Sequence, residues 1–468
     1  MAGKSKNFEI DMCTGRLASK MLLFTLPLIA SSLLQLLFNA ADMVVAGRYA
    51  GDTALASISG TSSITNLIIN LFLGLSVGAN VIVAKYYGQN SEEDVSECVH
   101  TSVVISLLAG AFLAVFGFAV ARPVLTLMQT PENVIDGAVL YMRIYFLGMP
   151  IIMLYNFTSA ILRAVGDTRR PLIYLAIAGA INVVLNMIFV IVFHMGVAGV
   201  AIATVVSQAV SAALVMIALF RYDGCLKLSL SKMKIAGTKL LQMTKIGLPA
   251  GIQGSFFSIS NVLIQSSINS FGSLAMSGNA AASNIEGFVY AGMNAFHHTA
   301  LSFTSQNLGG GQYKRIKKVI YYGLLFVTTV GIGLSLVVYF FRYPFLGLYI
   351  GKTTLNRAQV IEYGVVRMKF IILTYFTCGT MDVIVGCLRG LGKSFTPMML
   401  TLLFVCVFRV VWISTVFRIP QYHTLECVYI SYPISWVMAT IVQGAYLAYS
   451  YRKLKIEKGL IKGLRTLV

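Results

Sequence analysis

Charge is what this sequence has least of. Only 11% of its 468 residues are Asp, Glu, Lys or Arg, against 57% hydrophobic. A soluble domain carries about 25% charged residues, so this chain cannot cover a water-facing surface. Acid is the scarcer sign, with 17 Asp and Glu to 36 Lys and Arg. The seven cysteines (Cys13, Cys98, Cys225, Cys378, Cys387, Cys406 and Cys427) show no C-x-x-C spacing, and several lie in apolar segments. A small apolar filler is the expected role there, with neither disulfides nor a metal site. HExxH is absent, which argues against a membrane metallohydrolase. The first twenty residues have no apolar core and no cleavage site; they read as a cytoplasmic tail, not a signal peptide.

What the sequence does have is apolar runs, near residues 21–47, 57–84, 99–121, 137–162, 171–194, 196–220, 246–271, 278–307, 319–341, 360–388, 397–418 and 428–450. Most reach the roughly 20 residues that cross a hydrocarbon core of about 30 Å. The pattern predicts an all-α membrane protein of twelve transmembrane helices. With the N-terminus inside, the inner loops hold Lys4, Lys6, Arg16, Lys20, Lys85, Arg163, Arg169, Arg170, Lys314, Arg315, Lys317, Lys318, Arg389, Lys393 and a basic tail including Lys462 and Arg465. The outer loops hold Arg48, Arg122, Arg342, Lys352, Arg357 and Arg418, while Arg143, Arg367, Lys369 and Arg409 fall within or at the ends of helices. This asymmetry follows the positive-inside rule and puts both termini in the cytoplasm of a cell-membrane protein. It accounts for the net charge of +19 without nucleic acid; membrane lipids with anionic headgroups are the expected partners of those loops.

The longest polar interval, RYDGCLKLSLSKMKIAGTKLLQMTK, reads as a cytoplasmic basic linker over 221–245 and a candidate surface helix. It separates an N-terminal six-helix lobe, 1–220, from a C-terminal lobe with a tail, 246–468. The lobes resemble each other. ILRAVGDTRRPL (161–172) aligns without gaps to CLRGLGKSFTPM (387–398), and Pro27 and Asn39 pair with Pro249 and Asn261. Six helices return a chain to the same side, so the lobes are expected to be parallel repeats, pseudo-symmetric around a central cleft, as in transporters.

Polar residues form stripes on several helices. Ser31, Gln35, Asn39 and Asp42 are spaced by four, four and three, and Asn279, Ser283, Glu286 and Tyr290 share a face further on. Asn182 and Asn186 are one turn apart; Ser258, Asn261 and Gln265 line another helix without an acid. Asp42, Glu286 and Asp382 are the acids expected inside helices. An ionised Asp at a helix centre costs about 2.5–3.5 kcal/mol on insertion scales, so such groups face a wet cavity or a partner. Arg409 reads as a structural partner for a buried acid or carbonyl. His297 and His298 point about 100° apart on a helix and do not suit one metal. NLGGGQYKR (307–315) reads as an inner turn, not a phosphate loop. Pro27 and Pro249, at matching places, are candidate hinges.

Together these residues resemble the multidrug and toxic-compound extrusion (MATE) family, most closely its bacterial DinF-like branch. The likeness rests on LPLIASSLLQLLFNAADMVVAGRYAGDTALAS, ILRAVGDTRRP with INVVLN, NIEGFVYAGMNAF with FTSQNLGGGQ, and TMDVIVGCLRGLGKS with VFRVVWI. It implies export of cationic, amphipathic small molecules by alternating access, in antiport with H⁺ or Na⁺ and with no cofactor. Asp42, Asn182, Asn186, Glu286 and Asp382 would form the coupling-ion or proton site, and no metal beyond Na⁺ is implied. Gln35, Asn39, Asn261, Gln265, Ser283 and Tyr290 would line the substrate cleft. Asn186 stands where many relatives have a second aspartate. A monomer is expected. The alternative is a lipid or lipid-linked glycan flippase of the same superfamily, which would line its cavity with basic residues for a phosphate headgroup.

Overall fold

The computed structural model describes residues 8–351 and 356–460; Lys4, Lys6, Lys352, Lys462 and Arg465 lie outside the described residues. No strand occurs among the described residues. In hydrocarbon, a helix satisfies its own backbone donors and acceptors, whereas an open strand cannot.

In chain order, α1 (Leu17–Val45) continues into a π turn (Ala46–Ala50), followed by α2 (Asp52–Gly88) and α3 (Glu92–Leu127). Helices α4 (Glu132–Leu147) and α5 (Met149–Ala164) meet at a 48° bend. Next come α6 (Arg169–Asn186), which runs into a π turn (Met187–Val192), and α7 (Gly196–Phe220). After the linker are α8 (Gly237–Asn269), α9 (Ser273–Gly309), α10 (Tyr313–Phe340) and the short α11 (Arg342–Tyr349). Helices α12 (Arg357–Phe370) and α13 (Tyr375–Gly390) are joined by a 3₁₀ turn; α14 (Phe395–Thr401) and α15 (Phe408–Ser414) by a π turn (Leu402–Val407); α16 (Leu425–Glu457) is last.

Among the described residues nine helices are long and apolar enough to cross a membrane, ten with the bent α4–α5 pair. Helices α8 and α9 are long enough at 33 and 37 residues but more polar. Counting them gives twelve crossings, six on each side of the linker. The outward side chains are those expected of a lipid-facing surface: Val115 is 74% exposed and Leu127 84%. In water such a surface would aggregate.

The internal repeat is written in the backbone. Gly51 before α2 and Gly272 before α9 both have φ 90°. Gly166 after α5 and Gly392 after α13, aligned by sequence, have φ 97° and 79°. Glycine enters this region without the Cβ penalty of other residues, so the matched glycines mark the same turn used twice. Arg163 and Arg389 each occupy the last turn of the helix before it.

By compactness the chain forms two units, Met1–Ser258 and Ile259–Val468. The boundary falls inside α8 because the first part of that helix packs closely on α2. A Cβ at Gly74 would lie 2.2 Å from the Gly251 nitrogen, and one at Gly78 would lie 2.1 Å from the Met243 carbonyl oxygen. Gly74/Gly78 and Gly247/Gly251 are thus two small-x-x-x-small faces in contact. The linker is not a surface helix. From 222 to 236 its only helical piece is one 3₁₀ turn, Leu230–Lys232, and it is tied to α3. The Ser229 N–H donates to His100 Nε2 and the Ala236 N–H to Thr101 Oγ1, each at 3.0 Å. Lys239 at the start of α8 pairs with Asp94.

Candidate functional site

In the first unit, Asp42 lies in the last turn of α1, and α6 brings Asn182 and Asn186 to it. Asn186 Nδ2 donates to Asp42 Oδ1 and also lies 3.2 Å from Asn182 Oδ1. On the other side Thr204 Oγ1 from α7 is 3.3 Å from Asp42 Oδ2. These described hydrogen-bond partners of the carboxylate are all neutral. Asn186 is fully buried, and its Oδ1 has no hydrogen-bond partner among the described residues. An unused acceptor therefore sits beside an acid. Tyr141 and Tyr145, stacked with centroids 6.0 Å apart, are within electrostatic reach of Asp42.

π turns follow both anchors, Ala46–Ala50 after Asp42 and Met187–Val192 after Asn186. Such turns interrupt the regular ladder and recur at functional sites. Val45, Ala46, Val190 and Val200 pack into one apolar cluster with Ile58, which fixes α1, α6 and α7 next to the polar group. The α1 stripe does not act as one surface: Ser31 Oγ donates to the Pro27 carbonyl of its own helix at 2.8 Å, and Gln35 and Asn39 are exposed.

In the second unit, Glu286 (α9) meets a positive charge from the chain itself. Arg367 of α12 approaches as a fork, with Nε 2.8 Å from Oε1 and Nη2 2.6 Å from Oε2. Its Nη1 donates to Asn279 Oδ1 at 2.6 Å. That oxygen also accepts from the Tyr429 hydroxyl of α16 at 3.2 Å, and Asn279 Nδ2 donates to Gln265 Oε1 of α8 at 2.9 Å. The expected stripe on α9 is split. Asn279 and Glu286 are buried, while Ser283 and Tyr290 are exposed; four residues advance a helix by about 40° beyond a full turn, enough to move those two out of the network. Asn261 is exposed as well.

Asp382 is separate from this pair. It lies within electrostatic reach of Tyr290 and Arg389. His297 Nδ1 donates to the Asp382 backbone carbonyl at 2.6 Å, so that ring orients α13 with its backbone. Arg409 donates from Nε to Ser435 Oγ at 2.9 Å and lies over the Tyr432 ring at 4.1 Å. Thr204 and Tyr429 escaped the sequence reading, and Arg367 was placed within or at the end of a helix without a role in the site. Arg367, a charge inside the apolar run VVRMKFII, was the one with a visible signal.

A family model described as MatE matches residues 27–188 and 249–413, once in each half. The probable multidrug resistance protein YoeA of Bacillus subtilis is 26% identical over 94% of this chain and 95% of its own length. The fold is similar to that of a MOP superfamily transporter from Pyrococcus furiosus, with TM-score 0.89 and 20% identity over 95% of this chain and 98% of that one. It is also similar to an outward-facing multidrug resistance MATE family transporter, with TM-score 0.88, 20% identity and coverage of 95% and 98%. The chain is thus a multi-pass membrane transporter and not an enzyme. It belongs to the MATE family of multidrug-efflux transporters, which handle small-molecule substrates.

Proposed function

We propose that this protein exports amphipathic organic cations across the cell membrane in exchange for H⁺ or Na⁺, with both termini in the cytoplasm and Asp42 as the carboxylate that changes partner during the cycle. The observation that carries this reading is the Asp42 cluster: an acid in the last turn of a membrane helix, held by neutral donors, beside the unused acceptor Asn186 Oδ1. A carboxylate with no tethered countercharge can take a proton or a cation and release it again, which exchange requires. A fixed ion pair cannot. Asn182 and Asn186 complete the coupling site, Thr204 orients it, and Asp382 is a second acid open to protonation. The exposed Gln35, Asn39, Asn261, Ser283 and Tyr290 are the proposed substrate-facing groups, with Gln265 behind them and Pro27 and Pro249 as hinges of alternating access. The protein would work as a monomer in contact with anionic lipid.

The flippase reading asks for arginine turned toward a cavity. Arg367, Arg389 and Arg409 are instead 7%, 6% and 0% exposed, which favours the cation exporter. The test is efflux of a cationic dye from vesicles holding the purified protein, under separately imposed H⁺ and Na⁺ gradients. Efflux driven by one gradient and collapsed by its dissipation supports the reading. Scrambling of a phospholipid with no gradient-driven dye movement refutes it.

A further inference from the structure

Glu286 and Arg367 have no counterpart in the other half. The register set by Gly51 and Gly272 puts Thr65 opposite Glu286, and that set by Gly166 and Gly392 puts Tyr141 opposite Arg367. The pair is therefore an addition to the repeat, and its acceptors are all taken. Arg367 engages both Glu286 oxygens and Asn279 Oδ1, and Asn279 Nδ2 holds Gln265 Oε1. Tyr429 and Tyr432 flank the guanidinium, with ring centroids 5.6 and 5.8 Å away. A guanidinium stays charged at any working pH and matches a carboxylate bidentately. Being tethered, it competes with a free ion at high effective concentration.

We infer that Arg367 is a built-in cation that closes the Glu286–Asn279–Gln265 site to free monovalent cations, making it the specificity-determining residue of the second unit. This rests on the proposed antiport reading, because it leaves Asp42 as the exchanging carboxylate. Removing Arg367 releases oxygens that an alkali ion would use, two from Glu286 and one from Asn279, while Gln265 stays hydrogen-bonded to the Asn279 amide. Their burial supplies the low dielectric that makes such a site effective.

The test measures the melting temperature of the purified full-length protein, with NaCl titrated against choline chloride at constant ionic strength. The Asp42→Asn background removes the first site. Addition of Arg367→Gln is expected to create a saturable cation-dependent rise, and further addition of Glu286→Gln to abolish it. A folded Asp42→Asn/Arg367→Gln protein with no cation response overturns the inference. If that variant does not fold, Asp42→Asn/Asp382→Asn decides: a saturable response there means Glu286 takes cations alongside its arginine and the inference is wrong, and no response upholds it. Gradient-driven efflux persisting in Asp42→Asn would instead refute the antiport reading and leave the binding result standing.

Discussion

The two units place a carboxylate on a membrane helix in opposite circumstances. Asp42 is held by an amide and a hydroxyl, so its charge is stabilised by neutral dipoles and can be surrendered. Glu286 is locked by a guanidinium fork, so losing either partner strands the other in a low-dielectric interior. The units share glycine turns and terminal arginines, yet not this chemistry. The repeat specifies backbone, and function is written over it one side chain at a time. A buried acid should therefore be judged by what neutralises it, not by its burial alone.

The sharpest break between the units concerns function. Asp42→Asn should abolish gradient-driven export while leaving a monodisperse, folded protein in gel filtration, because it removes a charge without orphaning another. Near-normal coupled efflux would erase the distinction drawn between the two acids.

The stability contrast runs the other way. Glu286→Gln should lower stability by about 3–5 kcal/mol, the usual result of breaking a buried ion pair from one side. Thermal unfolding in detergent would show it as a drop in midpoint far larger than that of Asp42→Asn. Equal midpoints for the two variants would mean that Arg367 is readily solvated.

The matched glycines refine the comparison. Alanine at either Gly166 or Gly392 should cost about 1–2 kcal/mol for a side chain in the left-handed region. Gly166→Ala should cost more, since its Cβ would lie 2.3 Å from the Ile10 carbonyl oxygen, whereas nothing is within 4 Å at Gly392. Melting temperatures of the two variants give the order directly.

The smallest effect lies one residue on, where the repeat has Asp167 in one half and Lys393 in the other. Asp167 has no exposed side-chain surface and accepts from the Arg170 N–H at 3.0 Å. Burial pushes its carboxyl up to about 6, against the opposing Arg170 N–H and charge. The folded protein then binds this proton more tightly than the unfolded chain does. Asp167's contribution to stability is full below about pH 4 and is lost as pH rises through about 6. Asp167→Asn keeps an acceptor for the Arg170 N–H and should remove this loss, raising the midpoint by a few degrees at pH 7 and leaving it unchanged near pH 4. A parent-like pH profile in the variant would show that the carboxyl is not the source.

Much of the candidate site was legible because lipid makes polar residues conspicuous. Asp42, Asn182, Asn186, Glu286 and Asp382 stood out as exceptions to apolar runs. Their partners were less visible. Thr204 is an ordinary hydroxyl in a membrane helix, and Tyr429 sits among other aromatics. Gly74, Gly78, Gly247 and Gly251 carried a readable spacing, but two glycine faces 173 residues apart in the chain do not announce that they meet.

The sequence by itself determined the solvent, the helices and the repeat, because hydrophobic length, charge asymmetry and the positions of glycine and proline act locally along the chain. Only tertiary structure decided which acid is neutralised. A helical period defines a face to within tens of degrees, and about 40° separates Glu286 in its ion pair from Tyr290 in the open. Whether the nearest group is Arg367 or Asn186 depends on which helix packs there, over distances of a few ångströms that spacing along one helix cannot encode.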